Sequence, residues 1–296
     1  MPGAENQTAK ASSSSVSRPV YENDRYWNQR LEKDFSLLGV GHAGVGLAFN
    51  RWAYRLRRAV LLRALRTAKI EIKGARILEL AFGTGFYLEL WNELNAAHVT
   101  GFDITDIAVQ NARGRFPADW RFEKADIALP LPFTINGANG AVGAFDLATA
   151  FDVLFHLVDD AGWNGALDNI ARALKPGGHV IIFDKCQSAE TAVGHVRRRT
   201  LSAYTAALEA RGFEIVSVSP LFVLMNSPTD LSGLKKLAFK TSWSLTKMPY
   251  KIGRKLGLGE VCGGAMGALM YGPELLLTRI FPKGPSTKIL IARKIK

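Results

Sequence analysis

The segment Ile77-Leu78-Glu79-Leu80-Ala81-Phe82-Gly83-Thr84-Gly85 sets an apolar strand directly before a tight, glycine-bearing turn. Glycine lets a backbone approach a ligand closely, and a helix starting after the turn offers unpaired N–H groups to a carboxylate or phosphate. A second acid, Asp103, falls at the end of the next apolar run, where a carboxylate can accept both hydroxyl protons of a ribose. A third, Asp126, stands in Glu123-Lys124-Ala125-Asp126-Ile127. It can accept from an adenine amino group, with Ile104 or Ile127 packed on the ring, or it can simply cap the following turn. Together these residues point to an adenosine-bearing ligand. A nicotinamide dinucleotide calls for a third glycine three residues after Gly85, and that position is Leu88.

Such residues need a sheet to hold them. From Gly74 to Ser219, short apolar runs alternate with helical patterns, the mark of βαβ units and a parallel sheet. The runs predict strands at Arg76–Leu80, His98–Phe102, Arg121–Lys124, Phe145–Phe151, His179–Asp184 and Glu214–Ser219, with a last strand over Thr287–Lys294. Helices are expected at Ala161–Leu174, stopped by Lys175-Pro176-Gly177-Gly178, and at Thr200–Arg211. Before the sheet, residues 21–73 read as a helical cap, interrupted by a glycine cluster from Gly39 to Gly46. Residues 74–296 read as the core, with a basic insertion at about 220–285. Residues 1–20 are polar and serine-rich without an apolar core, which fits a disordered tail and not a signal peptide.

In this order and spacing, the motifs resemble the class I S-adenosylmethionine-dependent methyltransferases of the small-molecule group. The resemblance implies a doubly wound, Rossmann-like α/β sheet of seven strands, the last antiparallel, and S-adenosylmethionine as cofactor. It implies that Glu79, Ala81, Gly83 and Gly85 hold the methionine end, that Asp103 binds the ribose, and that Asp126 lies near adenine. Phe151 would then end the strand that flanks the cofactor. The family usually carries glycine where this chain has Ala81; alanine is small but disfavours positive φ.

Methyl transfer from a sulfonium is an in-line displacement, so the protein mainly aligns the acceptor and excludes water. A hydroxyl acceptor benefits from a base, and His156, in the loop after Phe151-Asp152, titrates in a useful range. A histidine that only packs beside the cofactor is the alternative role. His195, in Gly194-His195-Val196-Arg197, is a second candidate, and Arg197 can orient an anionic group on the acceptor. Tyr26, Trp27 and Asp152 are the further acceptor-site candidates. Asp152 and Asp184 end neighbouring strands but lay out no clear metal cluster, so no metal is expected.

The net charge of +12 and the lysines of the insertion, interleaved with Leu, Phe, Trp and Met, fit three roles. The insertion can be a lid, can lie on an anionic membrane surface, or can dock a carrier protein. Nucleic acid is a poor fit, because no recognisable binding module accompanies the charge. Two distant cysteines, Cys186 and Cys262, provide no disulfide framework, so a reducing cytoplasm is expected, with the protein soluble or peripheral to a membrane. The expected function is methylation, on oxygen before nitrogen, of a small molecule, glycoside, lipid or carrier-bound intermediate. The alternatives are a non-catalytic protein of the same fold that engages a membrane or partner, and a nucleic-acid methyltransferase.

Overall fold

The computed structural model describes residues 23–135, 138–139, 143–282 and 284–296; the expected tail at 1–20 lies outside them. Seven strands form the main sheet: β1 (Arg76–Leu80), β2 (His98–Asp103), β3 (Arg121–Lys124), β4 (Phe145–Phe151), β5 (Leu174–Asp184), β6 (Phe213–Pro220) and β7 (Lys288–Lys294). Their order is β3-β2-β1-β4-β5-β7-β6. Neighbours from β3 through β5 pair in parallel, and β7 runs antiparallel to both β5 and β6. This is the Rossmann-like methyltransferase sheet.

The central strands are apolar on both faces, as a sheet covered on both sides requires. Ile77, Ile181 and Ile289 join one core, while Leu78, Ile182 and Leu290 join the other. Helices α5 (Asp160–Ala173) and α6 (Leu201–Glu209) supply Trp163, Leu167 and Tyr204 to the second core. The first core takes Trp91 from α3 (Phe86–Glu93) and Ala108 from α4 (Asp106–Arg115). It also takes Phe49 and Leu56 from the long N-terminal helix α2 (Gly46–Ala68), which follows α1 (Asn23–Lys33).

The expected stop signal before the fifth strand takes another form. α5 ends at Ala173, and Leu174 already pairs with Phe145 in β5. The next aligned pair is Leu147 with His179, so Lys175–Gly178 is absorbed as an irregularity within the strand. Gly177, at φ 80°, allows that bend.

The insertion folds as two long helices, α7 (Gly233–Lys255) and α8 (Gly259–Ile280). α8 lies along α2, and α7 packs on α8. Two acids fix this layer, one exposed and one buried. Glu260 accepts from the Leu47 and Ala48 N–H groups at the start of α2, the end of a helix that favours negative charge. Glu274, fully buried, accepts from the N–H groups of Val223, Leu224 and Met225 after β6. Gly267 lets α8 close on α2, since a Cβ there would meet Trp52 at 2.7 Å. No helix among the described residues is long and apolar enough to cross a membrane.

Candidate active site

At the C-terminal ends of β1, β2 and β4 lies a cleft of about 950 Å³ counting its open mouth. Its floor is the turn after β1. Ala81 and Gly83 both sit at positive φ, 57° and 52°, and both line the cleft with Phe82 and Thr84. Asp103, at the end of β2, is buried and holds this turn: Oδ2 accepts from the Gly83 N–H at 2.8 Å. Its Oδ1 accepts from the N–H and hydroxyl of Thr105 at 2.9 and 2.8 Å. Burial raises the carboxyl above its ordinary range, and these hydrogen bonds pull it back. The Ile104 N–H also donates to it, and Asp103 lines the cleft. Beyond it, Ile104, Asp126 and Ile127 complete this side of the lining. Asp126 also caps its own turn, accepting from the Ala128 N–H at 2.9 Å.

The opposite side is aromatic and basic. Phe151 ends β4 against Tyr87, with ring centroids 4.3 Å apart, and Asp152 follows at φ 55°. Asp152 forms an ion pair with Arg57 of α2, whose guanidinium also lies over the Tyr54 ring at 5.2 Å. Burial works against the charge of Arg57, yet Asp152 holds its pKa above the ordinary value. Burial likewise pushes the Tyr54 hydroxyl up to about 12. Above them, Trp27 of α1 meets the His156 ring edge-on at 5.1 Å, and both line the cleft. His156 Nδ1 donates to the His195 carbonyl at 3.3 Å, which leaves the lone pair on Nε2. Burial lowers its pKa to about 3, so the imidazole is neutral at physiological pH.

Residues 77–178 match the methyltransferase-domain family model, and they contain the turn, the three cleft acids and His156. The chain carries a class I, S-adenosylmethionine-dependent methyltransferase domain. The chain is 34% identical over 152 residues to a demethylmenaquinone methyltransferase of Thermus thermophilus, covering 50% of this chain and 60% of that protein. It is 28% identical over 128 residues to an O-methyltransferase of Aspergillus nomiae, covering 42% and 52%. The chain thus spans only half to three fifths of these relatives. Phosphoethanolamine N-methyltransferase 2 of Haemonchus contortus, solved with phosphomonomethylethanolamine and S-adenosylhomocysteine, shares the fold. The match is 14% identical with a TM-score of 0.54, and covers 94% of this chain and 62% of that one.

Of the residues singled out in the sequence, the cleft gathers Trp27, Ala81, Gly83, Asp103, Ile104, Asp126, Ile127, Phe151, Asp152 and His156. Others are placed differently. Glu79 is buried behind the turn, where Trp91 Nε1 and the Thr149 hydroxyl donate to it, so it braces β1 against α3 and β4 and does not line the cleft. Gly85 caps the start of α3 at φ 78°, beside the Phe116 ring. Tyr26 packs its ring on Trp27 and His195, one layer outside the lining. His195 sits at the turn of a hairpin, Thr191–Val193 with Val196–Arg198, its ring stacked on His156 at 5.5 Å. Arg197 is turned away: it pairs with Glu190 and Asp160 and donates to the Val158 carbonyl. The sequence reading passed over Arg57. The available signal was a charge three residues after Tyr54 on the face that also buries Leu61, the one arginine of that helix with an apolar-face position.

Proposed function

We propose that the protein transfers a methyl group from S-adenosylmethionine to a hydroxyl oxygen of a small-molecule acceptor, glycosides, lipids and carrier-bound intermediates included. The observation that carries this reading is one cleft with Asp103 on its floor and a neutral, proton-accepting His156 on the opposite side. The lining fits the cofactor: the turn at Ala81–Gly83 brings backbone to the surface, and a Cβ at Gly83 would already press within 3.1 Å of Val40. Asp103 accepts the ribose hydroxyls, Asp126 accepts from the adenine amino group, and Ile104 and Ile127 cover the ring faces. When bound, the cofactor would supply an activated methyl on a sulfonium.

The acceptor then occupies the space between Phe151, Trp27 and His156. The oxygen–carbon bond would form as the methyl–sulfur bond breaks and the thioether leaves, and the acceptor proton would pass to Nε2 of His156, which the His195 carbonyl keeps oriented through Nδ1. The Asp152–Arg57 pair fixes the end of β4, and the α1 aromatics exclude water. Calorimetric titration with S-adenosylmethionine, S-adenosylhomocysteine and NAD tests the assignment. Micromolar binding of the sulfur ligands, none of NAD, and a loss of roughly 30-fold or more in Asp103→Ala are expected from removing charge-assisted hydrogen bonds. Failure of both sulfur ligands to bind would overturn it.

A further inference from the structure

Helix α7 has an outward face that no other described residue covers. Leu234, Leu237, Leu245, Met248, Ile252 and Leu256 recur at spacings of three, four or eight residues, which places them in one stripe along the helix. All six are between 50% and 85% exposed. The opposite face, with Trp243 and Thr246, is the one buried against the protein. α8 adds its own exposed apolar row, Val261, Leu269, Leu276 and Ile280.

The charge beside this stripe has one sign. Between Leu231 and Gly259 there are seven basic residues and no acidic one. Lys240, Lys247, Lys251 and Lys255 recur at helical spacing along one edge of the apolar stripe. None of the seven takes part in an ion pair among the described residues. The flanking acids are engaged elsewhere, Asp230 with Lys288 and Ser188, and Glu260 with the start of α2. A second copy of this face would bring like charges together around the apolar contact. An anionic lipid surface satisfies both features at once, taking the apolar stripe into its acyl boundary and the ammonium groups among its headgroups.

We propose that the α7–α8 hairpin is an interfacial element that docks the protein on an anionic bilayer surface. It lies on the membrane and does not span it. The placement also matters for the cleft: Trp243 of α7 meets the His42 ring edge-on at 5.1 Å, two residues after Val40 in the cleft lining. That contact joins the buried face of the helix to the wall of the cleft. The inference rests on the surface alone and is separable from the reaction proposed above.

The test is flotation of the full chain with vesicles of phosphatidylcholine alone or mixed with phosphatidylglycerol. Binding at least about tenfold stronger to the anionic vesicles, weakened by high salt, is expected. The triple variant Leu245→Glu, Met248→Glu, Ile252→Glu should abolish it, and Lys240→Glu with Lys251→Glu should weaken it at least about tenfold. The substituted residues are exposed, so circular dichroism and S-adenosylhomocysteine titration should match wild type. No vesicle binding, equal binding to neutral vesicles, or unchanged binding by the variants would overturn the proposal. So would a concentration-dependent dimer that the triple variant dissolves, because the stripe would then be a contact between copies. Vesicle binding by a protein that fails to bind either sulfur ligand would leave the docking surface standing and reject the reaction.

Discussion

Ala81 occupies the left-handed region at φ 57°, where a side chain costs about 1–2 kcal/mol relative to glycine. Its N–H is held by the Phe102 carbonyl at 2.7 Å, so the turn is fixed from β2 despite that cost. Ala81→Gly should therefore raise stability by about 0.5–1 kcal/mol, after glycine's extra unfolded-state entropy is deducted. Chemical denaturation of the two proteins measures it; a loss of stability would show that the alanine methyl is doing packing that outweighs the strain. His156 gives a second prediction. Its pKa near 3 in the folded protein means that no ionisation of this ring falls between pH 5 and 8. His156→Asn should lower kcat by roughly 100-fold with cofactor affinity unchanged. The wild-type kcat/KM profile should show no acidic limb near 6.5, and a limb there that vanishes in the variant would contradict the buried, neutral ring. The sequence could mark His156 by its place after β4, but burial and the His195 carbonyl are tertiary facts that no spacing carries.

At the scale of elements, α2 brings the cap to the chemistry. Its Arg57 faces Asp152 across the end of β4, with side chains 11% and 27% exposed. Breaking such a pair leaves one charge poorly solvated, while removing both charges does not. Arg57→Met is expected to cost about 2 kcal/mol, and the double variant Arg57→Met, Asp152→Leu to recover more than half of it. A double-mutant cycle by urea denaturation reads the coupling directly, and additive single effects would mean that the pair contributes nothing. The strand that holds Asp103 was legible because it is a short run with buried apolar residues, ended by its acid. The bend at Lys175–Gly178 was not, since a Lys-Pro-Gly-Gly string reads as a turn until pairing with β4 pulls it into the strand. Nor could sequence show that α8 lies on α2: Glu260 and Glu274 look like surface acids, and only the N–H groups they accept from reveal them as fastenings.

For the molecule as a whole, burial leaves a record in how stability changes with pH. Glu79 and Asp184 are fully buried, and burial raises each to about 7 against the opposing hydrogen bonds from Trp91 and Thr149, and from Tyr204 and the Lys185 N–H. Between its ordinary value of 4.5 and about 7, Glu79 stays protonated in the folded chain and ionises in the unfolded one. The unfolded state then binds fewer protons, so the group's stabilisation is complete below 4.5 and is lost as pH rises through about 7. Histidines act in the opposite sense: His42, His98, His156, His179 and His195 are all lowered, chiefly by burial, and favour the folded state increasingly as pH rises toward 6.5. The wild-type curve alone mixes both signs. The difference between wild type and Glu79→Gln cancels the histidines and isolates one proton. Wild-type stability relative to this variant should fall between pH 4.5 and 7 by about 2–3 kcal/mol, at a slope of about 1.4 kcal/mol per pH unit. Urea midpoints of both proteins across that range measure it. Parallel curves would mean that Glu79 is already ionised when folded, and that Trp91 and Thr149 offset the whole cost of burying its charge.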